Sequence, residues 1–442
     1  MTAREADAEP PFRTPSAPGT APTAQSGNDH RGWRKVTEAL ETPAFRWFWA
    51  SQFLSNLGTW SQVVAQAWLV LDLTHSAAAL GTITMLQFVP LLMVPLAGGV
   101  VADVLPRRQL LVGTQTISAV QAVAFGLLVA THAITVWEIG LLASILGTAN
   151  GLNNPTQQAI VPELVGEELV PNAIALNSVQ FNAARMIGGA VGGLAVAWWG
   201  IAGALFLNAG SFLPAIVVFV LIRPAHRSQR PPAARPGILQ QLGVGLSYVV
   251  HTAPIRRVVL LFGAVSLLAS NWQVAVPLIA RFVLHGSATN FGALLGSFGA
   301  GALLAAVFIA RQRAATERGL VAGAIGLGGV LVFIGLSSSY PLSLALLGVA
   351  GAVTVVTTVT ANTRLQLLSP DHLRGRVMAV YVVLVGGTTG VGGFLLGELA
   401  QGIGTRPALI AAGGASLVTI AGVGRAQRSK HVLAGADQSA GV

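Results

Sequence analysis

The sequence predicts an all-α integral membrane protein of twelve transmembrane helices in two six-helix halves. Three observations predict it. From Phe45 to Val423 the chain passes through apolar segments of roughly 20 residues, each long enough to cross a ~30 Å hydrocarbon core as a helix. Arginines collect in alternate connections: Arg107 and Arg108; Arg223, Arg227, Arg230 and Arg235; Arg311, Arg313 and Arg318; Arg374 and Arg376. The intervening connections carry only Arg281 and Arg406, the asymmetry expected when basic loops stay on the cytoplasmic side. The third observation is an internal echo. Asn154 is followed eight residues later by Pro162-Glu163, and Asn362 eight residues later by Pro370-Asp371, at the same helix number in each half. Parallel halves related by an axis along the membrane normal would produce it.

Composition excludes other classes. Only 10% of the 442 residues are charged, against about 25% in an ordinary soluble domain, and mean hydropathy is +0.67. The net charge of +10 sits beside apolar spans, so the expected partners are anionic headgroups of the lipid bilayer, not nucleic acid. With no cysteine there is no disulfide or thiol chemistry. No G-x-x-x-x-G-K-[ST] run supports ATP coupling, and the eight histidines are scattered, so no metal site is expected. No intramembrane acid, base and nucleophile converge as an enzyme would require.

In chain order, residues 1–43 place Pro10, Pro11, Pro15, Pro18 and Pro22 among Ala, Ser and Thr, and are expected to be a disordered cytoplasmic tail. They lack the apolar stretch of a cleaved signal peptide. The first half, 44–222, has spans at 45–71, 78–102, 109–131, 135–160, 172–198 and 201–222. Residues 223–255, with Pro224, Pro231, Pro232 and Pro236 beside four arginines, read as a cytoplasmic linker. The second half, 256–424, has spans at 256–283, 288–310, 319–337, 341–366, 376–400 and 405–424, and 425–442 form a second cytoplasmic tail. Both termini therefore lie in the cytoplasm of a multi-pass inner-membrane protein.

The loop between spans 2 and 3 reads Gly98-Gly99-Val100-Val101-Ala102-Asp103-Val104-Leu105-Pro106-Arg107-Arg108. It resembles the signature loop of the major facilitator superfamily, with Val104 where the family usually has a basic residue. Trp68 to Thr74, Asn154-Pro155-Thr156, Val161 to Leu164, Asn172 to Asn177 and Leu373 to Met378 resemble the enterobactin-exporter-like branch. The resemblance implies the major facilitator fold and alternating access by two rocking halves. It also implies export of a small organic molecule, such as a siderophore, antibiotic or hydrophobic drug, in exchange for protons. The proton gradient would be the energy source, with no cofactor, and the protein is expected as a monomer. Proton-coupled uptake, or a non-transporting receptor or scaffold on the same fold, are the competing readings.

Site residues follow. Gly98, Gly99, Asp103, Arg107 and Arg108 would serve an inner gate, with Arg374 and Arg376 facing Asp103. Arg311 and Arg313 would face Glu163, Glu167 and Glu168. These sets either latch the halves together or merely set topology. Arg185 falls near the midplane of span 5, where a charge costs ~2.5–3.5 kcal/mol on insertion scales and should face protein or a wet cavity. It either binds an anionic or carbonyl-rich substrate or serves as a structural hydrogen-bond hub. Gln52, Asn56, Thr59 and Gln66 fall within an ~80° arc of span 1, a stripe that either lines a cavity or ties helices together. Asn150, Asn153 and Asn154, Asn177 and Gln180, and the run Asn271-Trp272-Gln273 extend the polar supply, with Trp272 available for stacking. The run from Gly188 to Gly193 is similar to a motif of proton-coupled exporters, or is a packing face of small residues. For the proton itself, Glu138 opening span 4 and Glu398 closing span 11 are the candidates beside the membrane, as protonation sites or as ordinary interfacial charges.

Overall fold

The computed structural model describes residues 37–97, 106–222, 238–309 and 316–439. Among these residues every regular element is a helix. Nine helices are long and apolar enough to cross a membrane, and one of them is two spans in a row. Val170–Leu221 breaks at Gly200 (φ 70°, ψ 179°), a left-handed backbone that a side chain would strain, leaving span 5 (170–199) and span 6 (201–221). Pro43–Thr74 and Val136–Val165 complete the twelve. These two, spans 1 and 4, miss the apolar class because they carry amide side chains inside the bundle. The remaining spans are Ala77–Ala97, Arg107–Ala130, Ala253–Val283, Ala288–Ile309, Glu317–Leu336, Tyr340–Leu368, Asp371–Ile403 and the helix beginning at Thr405.

Two details depart from the sequence reading. A helix, Ile238–His251, occupies part of the stretch read as linker. It packs on the start of span 11, where a Cβ on Gly245 would lie 2.5 Å from the Arg376 carbonyl oxygen. The last helix continues to Ser439, past the end expected at 424.

The halves meet through two helix pairs, span 2 with span 11 and span 5 with span 8. A Cβ on Gly81 would sit 2.8 Å from the Gly393 carbonyl oxygen, and one on Gly397 2.6 Å from that of Ala77. Across the other pair, a Cβ on Gly193 would sit 2.8 Å from the Ala288 carbonyl oxygen. Without a hydrophobic drive between helices in lipid, such small-residue faces let backbones approach and pack. The run from Gly188 to Gly193 thus serves packing on two sides, Gly188 and Gly192 against span 1 and Gly189 and Gly193 against span 8.

Span 7 is interrupted. Ala253–Ala269 ends at Ser270, Asn271 leaves helical geometry (φ −88°, ψ 51°), and Trp272–Leu278 resumes before a π-helical turn over Ile279–Val283. Pro277 lies within this short segment and has no N–H to give the turn before it. The break brings Ser270, Trp272 and Gln273 to the centre of the bundle.

Ion pairs mark the two ends. At the face bearing Arg107, Arg257, Arg364 and Arg374, here the arginine-rich face, every described pair stays inside one half: Arg107 with Glu163, Arg257 and Arg364 with Glu317, and Arg374 with Asp371. At the opposite face Arg281 of span 7 reaches Asp72 of span 1 at 2.9 Å and joins the halves.

Candidate functional site

Spans 1, 2, 4 and 5 of the first half and spans 7, 8, 10 and 11 of the second line a cavity of about 670 Å³, with Gln115 of span 3 and Phe212 of span 6. Gln52, Asn56 and Thr59 enter it from span 1 at spacings of four and three residues, which place them on one helical face. Asn150, Asn153, Asn154, Gln157 and Gln158 follow from span 4, and Asn177 and Gln180 from span 5. The second half supplies Ser266, Ser270, Gln273, Thr354, Thr358 and Thr389 with Phe262, Trp272 and Phe298. One wall is therefore rich in amides and the other in hydroxyls, while rings enter from both halves, Phe48, Trp60, Phe88, Phe181 and Phe212 among them from the first.

The amides hold each other in place. Gln157 Nε2 donates to Gln52 Oε1 at 2.9 Å, and Thr114 Oγ1 donates to Asn153 Oδ1 at 3.1 Å. Among the described residues Gln52 Nε2 is buried without a hydrogen-bond partner. Behind the wall, Gln66 Nε2 donates to Gln87 Oε1 at 3.3 Å, and it is Gln87 that reaches the cavity. Gln66 thus supports the lining rather than forming it. Trp272 lines the cavity and is fixed by donating from Nε1 to Thr354 Oγ1 at 3.2 Å.

Arg185 provides the one charge among the described lining residues, which include no carboxylate. Its Nη2 donates to Asn182 Oδ1 at 2.7 Å, and Asn182 is oriented by donating to the Ser178 carbonyl at 2.9 Å. Three rings flank the guanidinium: Phe298 at 4.9 Å, Trp60 at 5.5 Å and Phe181 at 6.0 Å. Such contacts offset part of the desolvation of a cation. Nε of Arg185 is buried and makes no hydrogen bond among the described residues.

The cavity is sealed toward the opposite face by cross-half contacts. Besides Asp72–Arg281, Gln401 Oε1 accepts from Ala77 N at 2.9 Å and from Ser76 Oγ at 3.0 Å. The Arg281 guanidinium lies 5.0 Å from the Trp68 ring centre. From the midplane the cavity extends toward the arginine-rich face, reaching Phe48 and Gln157.

The other sequence candidates lie elsewhere. Gly98, Gly99, Asp103, Arg311 and Arg313 fall outside the described residues. Glu163 pairs with Arg107 of its own half, and Arg107 also donates to the Ala159 carbonyl at 2.9 Å. Arg108 donates to the Phe219 carbonyl at 2.7 Å, while Arg374 bonds Asp371 at 2.6 Å and the Gln366 carbonyl at 3.1 Å. These geometries tie helices within each half. Arg376 starts span 11 under the Ile238–His251 helix. Glu138 closes a capping box, its Oε2 accepting from Thr135 N at 2.6 Å and Thr135 Oγ1 at 2.9 Å. Glu398 is exposed near the end of span 11, next to the Gly397–Ala77 contact. Neither carboxylate lines the cavity.

The aromatic surround of Arg185 escaped sequence reading. Phe181 precedes it by four residues, a spacing that brings side chains together on a helix, and was the one available signal. Phe298 comes from the other half.

Comparison with known proteins agrees with this architecture. The MFS_3 family model, described as transmembrane secretion effector, matches residues 37–434. The multidrug efflux pump Tap of Mycolicibacterium fortuitum is 26% identical over 81% of this chain and 89% of its own length. The enterobactin exporter EntS of Shigella boydii is 26% identical over 84% of this chain and 88% of its own. The staphyloferrin A transporter of Staphylococcus aureus is 24% identical over 69% and 72%. Among solved structures, the nucleoside transporter NupG superposes with TM-score 0.67 at 12% identity, covering 86% of this chain and 98% of its own. An inward-facing bacterial homologue of the lysosomal transporter Spinster gives 0.62 at 15% identity, covering 91% and 98%. Twelve helices in two halves around a polar cavity, with a family match over nearly the whole chain, make this protein a multi-pass membrane transporter of the major facilitator type, not an enzyme, and a member of the transmembrane secretion effector family.

Proposed function

We propose that the protein exports a small organic molecule across the inner membrane by alternating access, with the arginine-rich face in the cytoplasm and proton entry as the driving force. The observation that carries this reading is a polar cavity between the halves, sealed at the opposite face and extending toward the arginine-rich one. With basic residues inside, that is an inward-facing state, the one in which an exporter takes up its cargo and an importer would release it. Rocking about spans 2 and 11 and spans 5 and 8 would open the seal and release cargo outward. The efflux and export named for Tap and EntS support the same direction.

Proton coupling rests on a carboxylate outside the cavity. Glu398 fits best, since it sits beside the glycine contact at the seam while Glu138 is engaged as a helix cap. A proton moving inward gains ~2.3 kcal/mol per 100 mV, enough to bias two states that differ by a few kcal/mol. Everted vesicles containing the protein, tested with a panel of organic compounds, should accumulate cargo when a pH gradient is imposed. Accumulation only in right-side-out vesicles would support uptake instead.

A further inference from the structure

We propose that the cavity selects organic anions carrying a flat conjugated portion, with the acidic group seated on Arg185 and the ring system against Trp60, Phe298 and Trp272. This deepens the transport reading and rests on it for the cavity being a cargo site.

The first argument is charge balance. The described lining residues hold one guanidinium and no carboxylate. A cationic cargo would bring a second positive charge into a site partly withdrawn from water and meet nothing to offset it. An anion neutralises the site and gives the guanidinium an ionic partner, which no described residue supplies.

The second is an incomplete hydrogen-bond set. Arginine has five N–H donors in a fixed fork. Among the described residues one nitrogen reaches Asn182, and Nε, though buried, has no hydrogen-bond partner. A structural hub would be expected to bind carbonyls or a carboxylate on several sides. Among the described residues Arg185 has no ion-pair partner. A carboxylate or comparable oxyanion can accept two parallel N–H bonds from such a group.

The third is shape. Trp60, Phe181 and Phe298 flank the guanidinium at 5.5, 6.0 and 4.9 Å, and Trp272 stands 5.4 Å from Phe298. Planar faces favour planar cargo, because offset or edge-to-face ring pairs gain beyond simple burial. A volume of about 670 Å³ lies within the range of pockets that hold drug-sized molecules. The neutral amide wall supplies donors and acceptors for further oxygens but does not discriminate charge.

The test uses three probes of one skeleton: 9-anthracenecarboxylate, 9-anthracenecarboxamide and 9-anthracenylmethylammonium. Each is titrated against the purified full chain in lipid nanodiscs and read by energy transfer from tryptophan. The acid should bind about 10-fold or more tighter than the amide, as expected for a charge-assisted hydrogen bond, and the ammonium weakest. Arg185→Gln should bring the acid-to-amide ratio to about one, whereas Arg185→Lys, which keeps the charge, should retain a preference for the acid. An unchanged ratio in Arg185→Gln, tightest binding of the ammonium, or no binding of any probe to the wild-type chain would overturn the proposal. Because the readout is binding, none of these results bears on direction, which the vesicle assay decides separately.

Discussion

Removing the Asp72–Arg281 bridge probes the seal that defines the state of the cavity. The pair joins spans 1 and 7 at 2.9 Å, and Arg281 also lies 5.0 Å from the Trp68 ring centre. The side chains are 29% and 37% exposed, so solvent screens the pair and it contributes only ~0.2–1 kcal/mol. The ring contact adds ~0.5–1 kcal/mol. Arg281→Ala removes both, roughly 0.7–2 kcal/mol, and should shift the ratio of sealed to unsealed molecules by about 3- to 30-fold. Asp72→Asn removes the charge attraction alone and should shift it by about 1.4- to 5-fold. The chain has no cysteine, so a single Thr59→Cys change in the cavity reports access. Labelling by a membrane-impermeant maleimide added from the opposite face should be fastest in Arg281→Ala, intermediate in Asp72→Asn and slowest in the parent. Equal rates in all three would refute the seal, and a faster Asp72→Asn would refute the role given to the Trp68 contact.

Gly397→Val should open the same seam, because its Cβ would lie 2.6 Å from the Ala77 carbonyl oxygen; opposite-face labelling of Thr59→Cys should rise. Glu163→Gln should lower the thermal midpoint, since Glu163 binds Arg107 of its own half, while leaving that labelling rate unchanged; a changed rate would restore a latch across the halves. Glu398→Gln should abolish stimulation of transport by a pH gradient, and Glu138→Gln should not, as glutamine serves the capping box equally. Thr135→Val should cost about 1 kcal/mol of stability, read as a lower unfolding midpoint with transport retained.

Helix number and face were legible because both follow from solvent physics acting locally. Hydrocarbon length sets each span, and the sorting of arginines tells alternate connections apart. Gln52, Asn56 and Thr59 could be put on one face of span 1 by period alone, since amides do not stay in lipid unpartnered, but whether that face lines a cavity or ties helices together had no sequence signal. Gln66 follows the same period, yet Gln87 of span 2 stands between it and the cavity; the depth of a stripe depends on a neighbouring helix. Ion pairs show the limit more sharply. Arg281, Glu163 and Arg107 each stood out as charges, but which carboxylate meets which arginine depends on how helices pack, within one half for Glu163 and Arg107 and between halves for Asp72 and Arg281. Arg257, Glu317 and Arg364 gave no sign in sequence that one carboxylate would serve two arginines of different spans. The break at Asn271, which turns Trp272 into the cavity, also gave no period to follow.

Distances between the halves at both faces test the rocking account most directly. One pair of spin labels would go at Thr131 and Leu336 on the opposite face, the other at Glu167 and His372 on the arginine-rich face. Lowering the pH at the opposite face should lengthen the first distance while shortening the second, the reciprocal change of two bodies turning about a central cavity. Both distances lengthening together, or neither responding, would contradict it.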